Sequence, residues 1–139
     1  MYVGKQNLNT KIAFSKTAKL IAVLVISVLG GISASHAEII HVDWADRAFA
    51  HTSNIAPKKF LEVCARLKQG ETIAWKFKGS AVTDFNLHYH VGKKVSYPQK
   101  RKGVASATGQ LVVPIDQDYC WMWSNKGGEP VSMSVTLKK

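Results

Sequence analysis

The side chains best placed to do chemistry are His88 and His90, separated only by Tyr89. On a β-strand alternate residues share a face, so the two imidazoles project together from Cα atoms about 6.5–7 Å apart. Two neutral imidazoles at that spacing can share Cu(II), Zn(II) or Ni(II). Cu(II) is the first candidate, because it outcompetes the other first-row divalent ions at nitrogen-rich sites. Asp84 and Asn86 extend the same polar row. Two imidazoles alone make a modest site, so tight binding needs a third ligand, with His41 the first choice and His51 the second. The alternative is a solvated histidine pair on the wet face of a strand anchored by Tyr89.

Other constellations say less. A blue-copper centre needs a Cys thiolate with His and a weak axial ligand, and no His follows Cys120. No haem-attachment Cys-x-x-Cys-His occurs, the nine carboxylates are scattered, and no nucleophile sits in a recognisable turn. The expectation is a protein without catalysis. Lys93, Lys94, Lys100, Arg101 and Lys102 flank Val95-Ser96-Tyr97-Pro98, and a loop of this kind can rest on anionic lipid or another polyanion. It can equally be a solvated hairpin end. Trp75, Trp121 and Trp123 with Tyr119 follow a period of two, which assigns them to core packing and not to stacking on nucleic acid.

The N-terminus sets the compartment in which these residues act. Lys5, Lys11, Lys16 and Lys19 precede an apolar run from Leu20 to Leu29, then Gly30-Gly31 and the small-residue stretch ending Ser35-His36-Ala37. This is the three-part pattern of a cleavable secretory signal over residues 1–37. An uncleaved anchor is the alternative, although the run is shorter than the roughly 20 residues a spanning helix needs. Cleavage before Glu38 leaves residues 38–139 as one periplasmic or secreted domain with no membrane span. That part holds all nine acidic residues and fifteen of the nineteen Lys and Arg, a net charge of +6. The charge is basic, but too dilute to argue for nucleic acid. Cys64 and Cys120 are its two cysteines, and an even count in an oxidising compartment reads as one disulfide. Two free buried thiols are the alternative.

The elements that must position these residues are mostly strands. Ile39 to Val42 suits an edge strand, and Asp43 to Ala56 shows no pattern. Lys58 to Lys68 is ambiguous. Phe60, Leu61, Val63, Cys64 and Leu67 fit a helical face, whereas Leu61, Val63, Ala65 and Leu67 alternate against Glu62, Cys64 and Arg66 as a strand. From Glu71 onward alternation dominates: Thr72 to Lys78, Asp84 to Gly92, Val95 to Tyr97, Leu111 to Val113, Tyr119 to Ser124 and Val131 to Leu137. Gly79-Ser80, Gly92-Lys93-Lys94, the basic loop Gln99 to Gly103 and Asn125 to Gly128 punctuate them. Six or seven short strands with frequent turns predict an all-β, antiparallel sandwich.

The pattern over about residues 60–139 resembles the GOLD (Golgi dynamics) domain, a β-sandwich of secretory-pathway cargo receptors and some lipid-transfer proteins. The matching residues are Gly70 to Phe77, Asp84 to Leu87, Gly109 to Leu111, Tyr119 through Trp123-Ser124-Asn125, and the strand Val131 to Leu137. Cargo receptors of that family pair an early-strand cysteine with one before the Ser-Asn turn. Cys120 stands two residues before the place that pattern gives the second cysteine, which Met122 holds here, and a shift of two keeps it on the same strand face. There is no coiled coil and no C-terminal span with a sorting tail, so receptor activity does not carry over. The resemblance implies a sandwich that binds an unidentified protein or lipid and has no catalytic residues.

Overall fold

Alternating burial is the signature of every strand in the core. In β3 (Phe60–Leu67) Leu61, Val63, Ala65 and Leu67 are buried, and β6 (Gln117–Ser124) and β7 (Val131–Lys138) repeat the rhythm with Tyr119, Trp121 and Trp123, and with Val131, Met133, Val135 and Leu137. The computed structural model describes residues 37–139, which form one compact unit. The signal peptide expected over residues 1–37 lies, apart from Ala37, outside the described residues. The remaining strands are β1 (Glu38–His41), β2 (Ala48–Ile55), β4 (Thr72–Val91) and β5 (Lys94–Val112). Among the described residues no helix is long and apolar enough to cross a membrane.

Two of these strands are not short. β4 and β5 form one hairpin of 20 and 19 residues, turned at Gly92, whose φ of 59° suits the first central position of a two-residue hairpin loop. Gly79-Ser80 marks a bend and does not end a strand. Between the pairs Lys78↔Ser106 and Thr83↔Val104, β4 advances five residues while β5 advances two. A bulge of this kind turns a strand from one layer into the other. Before the bend β4 pairs with β7; after it, with β6. The curled sheet therefore has two layers, β2-β7-β4-β5 and β1-β3-β6-β4-β5, which share the bent hairpin. The residues read as a basic loop, Gln99 to Gly103, belong to β5. Their charges stay in water at the sheet edge while their backbone pairs with β4.

The fold class is all-β, as the alternation predicts, with one correction. The ladders are antiparallel except β1, which pairs parallel with β3. Nothing in a four-residue strand distinguishes the two directions. Between the layers Phe77 and Phe85 pack on Trp123, with Phe77 and Trp123 edge to face at 5.4 Å, and Trp75 packs on Phe85 at 5.0 Å. Gly109 is obligatory because the Trp75 indole occupies the space of a side chain: a Cβ there would lie 2.3 Å from the ring. Asn125 is buried and ties the β6–β7 loop to β2. Its amide donates to the carbonyls of Ile55 (3.0 Å) and Glu129 (2.7 Å), and its Oδ1 accepts from the Gly127 N–H (2.9 Å).

Candidate functional site

Register places four chemically active residues in one row across the outer face of the second layer. His41 on β1 lies opposite Cys64 on β3, Cys64 opposite Cys120 on β6, and Cys120 opposite His88 on β4. The neighbouring rung on the same face is Glu62, Met122 and Asn86. The two cysteines form the expected disulfide, with Cα atoms 4.1 Å apart, inside the limit of about 7 Å beyond which no bond can close.

His88 departs from the solvated reading. The register is right, since Phe85 and Leu87 point into the core, yet His88 is itself buried, at 7 % exposure. Its Nε2 lies 3.0 Å from Glu62 Oε1 and its Nδ1 2.8 Å from Asn86 Oδ1. Glu62 and His88 stand two strands apart, so carboxylate and ring meet across β6, above the face that presents Cys120 and Met122. Both side chains are largely shielded, at 13 % and 9 % exposure, which makes this pair unlike an ordinary surface contact.

Not all of the residues read as metal ligands meet. His90 is exposed and packs its ring edge to face on His88 at 5.3 Å. His41 is exposed, with β3 and β6 between it and His88. His51 is on β2 in the other layer, stacked on Phe49 at 6.2 Å. Asp84 accepts the Gly103 N–H at 3.0 Å, supporting the hairpin bend away from the imidazoles. An ion shared by His88 and His90 at this geometry has to displace Glu62 or Asn86 from the His88 ring. The donor cluster that does form contains Glu62, which the sequence reading did not single out. Its carboxylate and the sulfurs of Cys64 and Cys120 lie within 4.8 Å of one another. The available signal was the alternation of Glu62, Cys64 and Arg66; the missing information was the register across three strands.

The basic residues lie elsewhere on the hairpin. Lys93 is in the turn, Lys94 opens β5, and Lys100, Arg101 and Lys102 are exposed further along it. Lys100 Nζ sits 3.5 Å above the ring of Tyr97, and the Arg101 guanidinium 5.8 Å from Trp75. The two arms of β5 approach each other, Gln99 Nε2 donating to the Gln110 carbonyl at 3.3 Å. Beside that contact Tyr97, Pro98, Val112 and Pro114 line a cleft of about 280 Å³.

The sequence matches no protein-family model and no curated protein sequence. Solved structures do resemble the fold. The periplasmic inhibitor of g-type lysozyme PliG from Aeromonas hydrophila superposes with a TM-score of 0.60 at 16 % identity, covering 73 % of this chain and 95 % of that one. PliG from Salmonella Typhimurium gives a TM-score of 0.51 at 11 % identity, with 74 % and 98 % covered. A mutant of the Escherichia coli PliG gives 0.51 at 10 %, with the same coverage. At such identities the likeness concerns the fold.

Proposed function

We propose that this protein is an exported, non-catalytic binding module whose partner is a protein, in the first instance a lysozyme-type hydrolase. The observation that carries this reading is a fold shared with periplasmic lysozyme inhibitors over nearly their whole length. The N-terminal signal pattern supports the same compartment. The GOLD resemblance points to the same class, a sandwich that works through its surface.

The contact surface in this reading is the outer side of the β4–β5 hairpin. Tyr97 and Val112 are exposed there at 45 % and 67 %, beside Lys93, Lys94, Lys100, Arg101 and Lys102. Exposed aromatic and Arg side chains are enriched at interfaces, here Tyr97 and Arg101, and the charge of the surrounding lysines suits an acidic surface on the partner. The test is inhibition of g-type lysozyme in a cell-wall lysis assay, with binding followed directly by calorimetry. Saturable inhibition, weakened when Lys100, Arg101 and Lys102 are all changed to Glu, supports the reading. The absence of both inhibition and binding refutes the lysozyme partner. Uptake by anionic but not neutral vesicles would assign the basic edge to lipid instead.

A further inference from the structure

We propose that the Cys64–Cys120 pair has a second state, exclusive of the disulfide, in which its two thiolates hold a zinc ion together with Glu62 and His88. The four groups are a two-sulfur, one-nitrogen, one-oxygen donor set of the kind tetrahedral Zn(II) takes. With Zn–N and Zn–O bonds of about 2.0–2.2 Å, donors at the tetrahedral angle lie about 3.4 Å apart. His88 Nε2 and Glu62 Oε1 are already 3.0 Å apart. Two Zn–S bonds of about 2.3 Å place their sulfurs about 3.8 Å apart. Directly opposed cysteines with Cα atoms 4.1 Å apart can span that separation once the S–S bond is open. The carboxylate is within 4.8 Å of both sulfurs, and His88 is the cross-strand partner of Cys120.

The surroundings of His88 match a ligand as well. A metal-bound imidazole almost always donates its other N–H to an oxygen, which fixes the tautomer and the ring plane. Asn86 Oδ1 lies 2.8 Å from Nδ1 and leaves Nε2 turned to the Glu62 carboxylate, which is the group that reaches both sulfurs. His88 and Cys64 are buried at 7 % and 8 % exposure, so the site has a dry side. His90 is exposed and lies outside the set. In the disulfide state the sulfurs are bonded to each other and the zinc site does not exist. A dithiol reductant supplies two electrons and two protons and becomes a disulfide, while the Cys64–Cys120 bond breaks to two thiols. Zn(II) then displaces both thiol protons as the two Zn–S bonds form.

The experiment uses protein produced from the full-length chain, reduced and oxidised in parallel, titrated with Zn(II) against a chromophoric chelator. The reduced protein should bind one equivalent and the oxidised protein none at the same concentration. Co(II) in place of Zn(II) should give a thiolate-to-metal charge-transfer band with the intense visible bands of a tetrahedral site. His88→Ala and Glu62→Gln should each weaken Zn(II) binding at least about tenfold, and Asn86→Ala, which keeps all four ligands, about tenfold. Should reduction alone unfold the chain, Zn(II) must restore its strand circular dichroism. Binding by the oxidised protein, no binding by the reduced one, either ligand variant binding like the parent, or zinc held by a chain that stays unfolded would each overturn the site.

Discussion

Replacing His88 with Ala distinguishes a buried polar junction from a decorative surface histidine. The residue is 7 % exposed, and its two nitrogens face acceptor oxygens of Glu62 and Asn86 at 3.0 and 2.8 Å. A neutral ring donates to one of these two oxygens, so removal forfeits one hydrogen bond, worth about 1.5–3 kcal/mol where it is the carboxylate, and leaves the shielded Glu62 oxygen without that partner. Side-chain burial shields the pair from the screening that reduces surface contacts to nearly nothing. We expect a loss of about 2–4 kcal/mol. At a urea slope of about 1.5 kcal/mol/M, a loss of 3 kcal/mol lowers the unfolding midpoint by about 2 M. Glu62→Gln and the double variant complete a mutant cycle, in which the coupling between His88 and Glu62 should be about 1–2 kcal/mol. Single losses below about 0.5 kcal/mol that simply add would show the pair to be equivalent to solvated groups. Such a result refutes the reasoning.

Other perturbations test other parts of the fold. The disulfide closes a loop spanning 56 positions, for which chain entropy gives about 4 kcal/mol; mass spectrometry of the unreduced protein should find no alkylatable thiol, and reduction should lower the melting temperature markedly. Gly109→Ala forces a methyl group 2.3 Å from the Trp75 ring and should cost about 1–3 kcal/mol, measurable by thermal melting; an unchanged melting temperature would contradict the packing. Glu71 accepts from the Lys68 N–H and pairs with Lys139, which together hold its carboxyl below the ordinary value of 4.5 despite partial desolvation. A depressed folded-state value means stability that is present above about pH 4.5 and lost as pH falls through the lower value. Glu71→Gln should therefore destabilise at pH 7 and converge with the parent in acid, and a penalty independent of pH would show that charge is not its role.

Local alternation made most of the strands legible and almost none of the junctions. β7 and the inner residues of β6 read directly, because every second residue is large and apolar. β3 was undecidable from periodicity, since Phe60, Leu61, Val63, Cys64 and Leu67 satisfy a helical face as well as a strand. Pairing settles it, with Cys64 opposite Cys120 and Leu61 opposite Trp123. β2 gave no signal because His51 and Ser53 sit between Phe49 and Ile55 on its half-buried side. The β4–β5 hairpin read as several short strands for a physical reason. Gly79-Ser80 and Pro98 to Gly103 are strand breakers by type, and the fold uses them to bend two long strands between layers.

The candidate site follows the same division. That Glu62 and Cys64 share a face, and Asn86, His88 and His90 another, is a period-two statement that single strands contain. That these become one face is decided by β6, which pairs with β3 on one side and with β4 on the other. Glu62 and His88 are 26 residues apart in the chain, and no local pattern connects them. The disulfide does not depend on that connection, because Cys64 and Cys120 need only β3 and β6 to be neighbours. The Glu62–His88 contact needs β4 as well, and β4 reaches β6 only beyond the bend at Gly79 to Thr83. A variant that straightens the bend should therefore separate Glu62 from His88 while leaving the Cys64–Cys120 bond in place. The junction at His88 is a property of the bent hairpin, and the disulfide is a property of the strand pair beneath it.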